Sequence, residues 1–276
     1  MSLPSAARRP GSSLGLEISL RAEHDPAHRQ HIAHLAGRLG FASVWLPAEG
    51  GPPSMEEVRA LIAAARPAQL GVTIGATPTE FRGSWLSWID VTRDDAGTGA
   101  LLLDLPAAAS ADLKVAVVEA LGGARAYHHR VLIRQAAEDG HPVTPDLDAA
   151  GQVVVGVDRA LVATRVGETR EARAAAGQYP AEFTIVVDLT VAIGRTMREA
   201  EVRAERDPLL AGQRHPKSAG LFGTLEHAQE QVLAYARAGA DRLRGTLADE
   251  HDVADLLAQF RSLAVGPVPL LLTRTD

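Results

Sequence analysis

What most restricts the fold of this chain is that two hydrophobic periods take turns along it. Leu14–Arg21 alternates, with Leu14, Leu16, Ile18 and Leu20 on one face and Glu17, Ser19 and Arg21 on the other, as a strand with one polar face does. Asp25-Pro26 then opens a helical stripe of Ile32, Leu35, Ala36 and Leu39 that stops at Gly40. Ala42–Pro47 reads as a second strand. Ser54 and Glu57 form a capping box ahead of the stripe Val58, Leu61, Ile62, Ala65. Leu70–Arg82 starts as a β-branched run and breaks at Gly75 and Pro78; Phe81–Val91 reads as a helix and Ala100–Pro106 as a fourth strand. Repeated strand–helix alternation predicts βα units on a parallel sheet, with right-handed crossovers that put the helices outside.

The remainder continues in kind. Helical patterns span Ala111–Leu121 and Ala124–Glu138, and a connection carrying Pro142 and Pro145 leads to a strand at Gln152–Val157. Leu161–Val166 is short and β-branched and fits either state, whereas Glu168–Ala176 is helical. Phe183–Ile193 is the longest period-two segment, with Thr184, Asp188 and Thr190 on its polar face. Thr196–Arg206 is a charged helix and His215–Gly223 a loop. Thr224 caps a helix over Leu225–Ala238 that Gly239 ends, and Leu243–Leu247 and Val253–Leu263 supply the last strand and helix. Seven or eight strands with interleaved helices, and no glycine-rich fingerprint after the first strand, favour a (β/α)8 TIM barrel over an open dinucleotide-binding sheet. The barrel is expected as one domain over residues 14–265, between a disordered N-terminus (1–13) and a C-terminal tail (266–276), a normal size for this fold.

Composition narrows the function class. The net charge is −6 and the arginines are scattered, which argues against nucleic acid and anionic membrane as partners and for a small-molecule substrate. There is no cysteine, hence no disulfide framework and no thiolate chemistry. Residues 1–13 lack the apolar core of a signal peptide and no apolar run reaches spanning length, so the expected location is cytoplasmic.

Several segments together resemble the luciferase-like superfamily of flavin- and deazaflavin-dependent oxidoreductases. Leu35–Pro47 is similar to that family's second βα unit, and Leu70–Arg82 to its third strand, with Gly-Ala-Thr-Pro standing for a Gly-Val-Thr-like segment. Gly223–Leu247 (Gly-Thr-Leu-Glu, Tyr-Ala-Arg-Ala-Gly-Ala-Asp, Leu-Arg-Gly-Thr-Leu) and Asp252–Gln259 are similar to its C-terminal portion. The resemblance implies a barrel with trimmed loops, reduced FMN or a deazaflavin at the C-terminal face, and oxidoreductase or monooxygenase chemistry on a small organic substrate; a homodimer is expected as the commonest arrangement. It implies a non-proline cis peptide at Gly75–Ala76 with Thr77 beside it, and cofactor contacts from Trp45, Glu49 and Gly156. The chain departs from the family where Asp104-Leu105-Pro106-Ala107-Ala108 replaces the glycines after the fourth strand, and where Val155-Gly156-Val157-Asp158 keeps one glycine of a pair. Two alternatives therefore stand beside the redox enzyme: a barrel doing cofactor-free acid/base chemistry, and a non-catalytic partner subunit.

Three residues are candidates for catalysis. Asp104 lies near the C-terminal end of its strand, where barrel enzymes place chemistry. Glu17 is expected to point inward, either as a catalytic acid or as an interior ion-pair member with Arg244 or Arg21. His28 belongs to the cluster His24, His28, His31, His34 near a helix start, and acts either as an acid/base or as a solvated histidine. No third ligand accompanies the histidines at metal spacing, and no metal is expected. Trp85 and Trp88, at helical spacing, fit a core as well as an aromatic pocket wall, and the adjacent His128 and His129 point apart on a helix.

Overall fold

The computed structural model describes residues 14–47, 54–74, 99–105, 130–135, 151–155, 159–175, 177, 183–207, 210, 220–248 and 251–264. Among these run nine strands: β1 (Gly15–Ser19), β2 (Ser43–Leu46), β3 (Gln69–Ile74), β4 (Gly99–Leu105), β5 (Arg130–Gln135), β6 (Gly151–Val155), β7 (Thr184–Gly194), β8 (Gly220–Thr224) and β9 (Arg242–Leu247). The helices described are α1 (Pro26–Leu39), α2 (Met55–Ala65), α3 (Arg159–Ala175), α4 (Met197–Arg206), α5 (Leu225–Arg237) and α6 (Val253–Ser262). The capping signals act as written in the sequence. The Asp25 carboxylate accepts the His28 amide at 2.8 Å, Ser54 Oγ accepts the Glu57 amide at 3.2 Å, and Gly40 closes α1 at φ 79°.

Every strand pairing is parallel, and the order runs β6-β5-β4-β3-β2-β1-β9-β7-β8 with a further pairing of β6 to β7. The pairings β1-β2-β3-β4-β5-β6-β7-β9-β1 return on themselves, which is the expected α/β barrel. β7, at 11 residues, serves three partners. Its residues 184–188 meet β6, 186–191 meet β9 and 190–194 meet β8. Because β9 holds one edge through residue 191, β6 and β8 share the other in succession, and β8 is wedged in beside the C-terminal half of β7.

Alternation sorts the side chains into two cores. Leu16, Ile18, Val44, Leu70, Ile185, Val187, Leu189 and Val191 face outward into the main core with α1, α2, α5 and α6. Trp45, Leu132, Val153 and Val186 form a separate cluster inside the sheet. Gly71 belongs to that interior: a Cβ there would lie 2.3 Å from the Trp45 ring, so the indole occupies the space the glycine leaves.

Two expectations need correction. Residues 130–135, placed in a helix over Ala124–Glu138, form β5, because Leu132 fills the interior cluster and the segment pairs with strands on both sides. Residues 220–223, expected as loop, begin β8, whose Gly220 approaches β7 so closely that a Cβ would meet the Thr190 carbonyl oxygen at 2.1 Å. The ambiguous Leu161–Val166 is helical, continuous with 168–175 in α3. The expected helices over 81–91 and 111–121, the segments 1–13 and 266–276, and the residues Trp85, Trp88, His128 and His129 lie outside the described residues.

Candidate active site

Strand alternation directs Glu17 and Ser19 of β1, Ser43 and Trp45 of β2, Asp188 and Thr190 of β7, and Arg242, Arg244 and Thr246 of β9 to the inside of the sheet. Their contacts make one connected polar interior. Trp45, fully buried, donates its indole N–H to Glu17 Oε2 at 2.8 Å and to Ser43 Oγ at 3.0 Å. Glu17 is fully buried too, and its other oxygen accepts Arg242 Nη1 at 2.9 Å. Arg244 is forked onto Asp188, with Nε to Oδ1 at 3.2 Å and Nη2 to Oδ2 at 2.6 Å, while its guanidinium lies 5.2 Å from the Trp45 ring centroid.

The sequence expectation paired Glu17 with Arg244 or Arg21, and the structure pairs it with Arg242. Arg244 stands beside both Glu17 and Asp188 in register. Its planar fork satisfies Asp188 in a bidentate pair while covering the indole, which leaves Glu17 to the neighbouring arginine. A carboxylate at this depth is kept charged only by such partners, since an unpaired buried charge costs several kcal/mol, roughly. Glu17 thus holds Trp45 and Arg242 in place rather than presenting a free carboxyl to the mouth.

The C-terminal end of the sheet is covered on one side. α4 starts beyond the end of β7 and its C-cap, Asp207, pairs with Arg21 just past β1, so the helix crosses the strand ends between them. Its Ala200 and Ala204 pack with Ala192, Phe222 and Ala248, the inward residues at the ends of β7, β8 and β9. Arg203 donates to the Ile193 carbonyl and pairs with Glu199 at 2.8 Å. Arg21 is 5 % exposed and Asp207 fully buried; Arg21 also donates to the Leu247 carbonyl at 3.0 and 2.6 Å, and Asp207 accepts the Leu210 amide at 3.1 Å. Burial acts to raise the Glu23 carboxyl, but hydrogen bonds from its backbone and from Arg21 outweigh it and hold the group below the ordinary glutamate range.

On the rim beside Arg21, the rings of His24 and His28 meet edge to face at 4.7 Å. His28 Nε2 is buried without a hydrogen-bond partner, as is Arg244 Nη1 in the interior. His31 and His34 are exposed on α1, away from this contact.

The structure therefore brings Glu17 and Trp45 together and sets His28 on the rim of the same end. Asp104 lies in β4, paired in register with Arg134 of β5; its side chain is outside the described set. Glu49, Gly75, Ala76, Thr77 and Gly156 also lie outside the described residues; Gly75 follows directly on Ile74, the last residue of β3. Sequence reasoning left Arg242, Asp207 and Ser43 without a role. Ser43 and Arg242 share the inward alternation of Trp45 and Arg244, which is the signal that points to them; Asp207 carries none, because its partner Arg21 is 186 residues away in the chain.

No family model matches the chain, and no curated protein matches it. Solved structures do. The chain is similar to an F420-dependent secondary alcohol dehydrogenase solved with an F420–acetone adduct, at 13 % identity, TM-score 0.72, over 92 % of this chain and 98 % of that one. It is similar to a coenzyme F420-dependent tetrahydromethanopterin reductase from Methanopyrus kandleri, at 11 % identity, TM-score 0.69, over 90 % and 98 %. A monooxygenase from Streptomyces bottropensis matches at 16 % identity, TM-score 0.68, over 90 % and 98 %. At these identities the likeness establishes a shared fold.

Proposed function

We propose that this chain, built on the fold of the luciferase-like flavin and deazaflavin enzymes, is an oxidoreductase that binds reduced FMN or an F420-type deazaflavin at the C-terminal end of its sheet and acts on a small organic substrate. The observation that carries the reading is the match over almost the full length of two F420-dependent enzymes, 98 % of each. Fold alone supports many chemistries, so the residues must also suit the cofactor. Its ring system offers carbonyl and nitrogen acceptors along one edge, and His28 Nε2, on the rim, is a buried nitrogen whose hydrogen-bonding capacity is unspent, with Arg244 Nη1 a second such nitrogen deeper in the interior.

The bound cofactor supplies the hydride or the oxygen-activating reductant. The chain supplies the rest. Trp45, pinned by Glu17, Ser43 and Arg244, gives a rigid floor; α4 and the Arg21–Asp207 pair keep water out on the β7–β9 side. His28 on the rim is the residue placed to move a proton to or from the substrate, and Asp104 and Glu49 are proposed to complete the polar surroundings. Gly75, Ala76 and Thr77 are proposed as the backbone against which the cofactor ring lies, with Gly156 beside it, in a homodimer.

Anaerobic titration with FMN and with deazaflavin, each oxidised and reduced and followed by absorbance, tests the reading. Saturable binding of one of them supports it. A protein that binds neither in either state refutes it and leaves the cofactor-free barrel or the partner subunit in its place.

A further inference from the structure

Three inward hydroxyls stand side by side across β1, β9 and β7, because Ser19 pairs with Thr246 and Thr246 with Thr190 in register. All three are partly exposed, although the strand residues on either side of each are buried. Accessible surface therefore remains on this row although its neighbours along each strand are covered. Below it lies the charged layer of Asp188, Arg244 and Glu17; above it lie Ala192 and Ala248, packed under α4. The wall so formed is polar in the middle and apolar at the top.

The charges around the row are already matched. Arg244 is paired with Asp188, Arg242 with Glu17, and Arg21 with both Asp207 and Glu23. A carboxylate or phosphate entering here would meet one spare N–H, Arg244 Nη1, on a guanidinium whose charge Asp188 already balances, and would leave the place with an excess negative charge half shielded from water. A neutral oxygen needs only hydrogen bonds, and a threonine hydroxyl both donates and accepts.

We propose that Thr190 and Thr246, with Ser19 beside them, form the subsite for a neutral carbonyl or hydroxyl oxygen of the substrate, and that the chain selects uncharged ketones, aldehydes or alcohols over organic acids. This deepens the oxidoreductase reading and rests on it for the step that follows binding. Binding itself does not depend on that reading. The paired threonines hold the oxygen, and the Ala192–Ala248 layer under α4 shields it from bulk water, so the hydrogen bonds form where they discriminate most.

Cyclohexanone and cyclohexanecarboxylate, matched in ring size, are the probes, and ligand-observed NMR on the full chain, with and without deazaflavin, is the measurement. The ketone is expected to bind more tightly than the carboxylate, and Thr190→Val with Thr246→Val is expected to weaken the ketone about 10-fold, the effect of losing one to two hydrogen bonds. Thr190→Ser with Thr246→Ser keeps the hydroxyls and is expected to restore binding, which separates the role of the oxygen from that of packing. Equal ketone affinity in the valine pair, tighter binding of the carboxylate, or no ketone binding to the unaltered chain overturns the proposal. The valine pair is also titrated with the cofactor. Unchanged cofactor binding with weakened ketone binding supports the subsite; a chain that binds neither cofactor yet shows the ketone effect overturns the oxidoreductase reading alone.

Discussion

Replacing Gly71 by alanine tests whether Trp45 is held where the interior needs it. The added Cβ would stand 2.3, 2.5 and 2.6 Å from three atoms of the indole, well inside contact distance, so either β3 or the ring must move. The ring is fully buried and fixed at its nitrogen by Glu17 and Ser43 and on its face by Arg244. Overpacking of this kind costs about 1–3 kcal/mol, and breaking the hydrogen bond to the buried Glu17 carboxylate adds about 1.5–3 kcal/mol. Gly71→Ala is therefore expected to lower unfolding stability by roughly 2.5–6 kcal/mol, read from urea midpoints at constant slope. The cost should fall by at least ~1 kcal/mol in a Trp45→Phe background, where the smaller ring gives the methyl room, a coupling that a double-mutant cycle isolates. A Gly71→Ala protein within ~0.5 kcal/mol of the parent, the size of an ordinary surface change, would refute the reasoning.

Further outcomes follow from the same contacts. Arg21→Leu removes the guanidinium that faces the buried Asp207 carboxylate and should cost about 3–5 kcal/mol in a denaturation experiment, part of which the double variant Arg21→Leu with Asp207→Leu recovers; a single variant as stable as the parent contradicts the buried pair. His28→Gln should lower kcat about 10²-fold with unfolding stability kept, because the Asp25 cap bonds the His28 backbone and survives the change; unaltered turnover removes His28 from the mechanism. A hydrogen bond and charge from Arg195, outweighing burial, hold the Asp255 carboxyl below the usual aspartate range. The group is less protonated folded than unfolded, so its contribution is present above the unfolded value and disappears as the pH falls through the folded one. Asp255→Asn should flatten the acid limb of the stability profile, and an unchanged limb counts against it.

Much of the fold is legible in the sequence because alternation survives wherever one strand face is polar. Leu14–Arg21 and Phe183–Ile193 show their inner faces directly, as Glu17 and Ser19 in the first and Asp188 and Thr190 in the second. β5 is illegible for the opposite reason: Arg130–Gln135 carries no alternation of polar and apolar residues, and its alanine- and arginine-rich flanks look helical. β8 is hidden by its two glycines, of which Gly220 lets it approach β7. The site divides the same way. Trp45 and Glu17 are visible as inward residues, but which arginine each carboxylate takes depends on register and on the indole between them, and Asp207 meets Arg21 only because α4 crosses the strand ends.

A crystal structure of the chain with reduced FMN or deazaflavin tests the central claim most directly. The account predicts the ring system at the C-terminal ends of β2 and β3, above Trp45 and beside His28, with α4 in its present place over β7 to β9. A cofactor bound elsewhere on the chain, or none bound at saturating concentration, would contradict it.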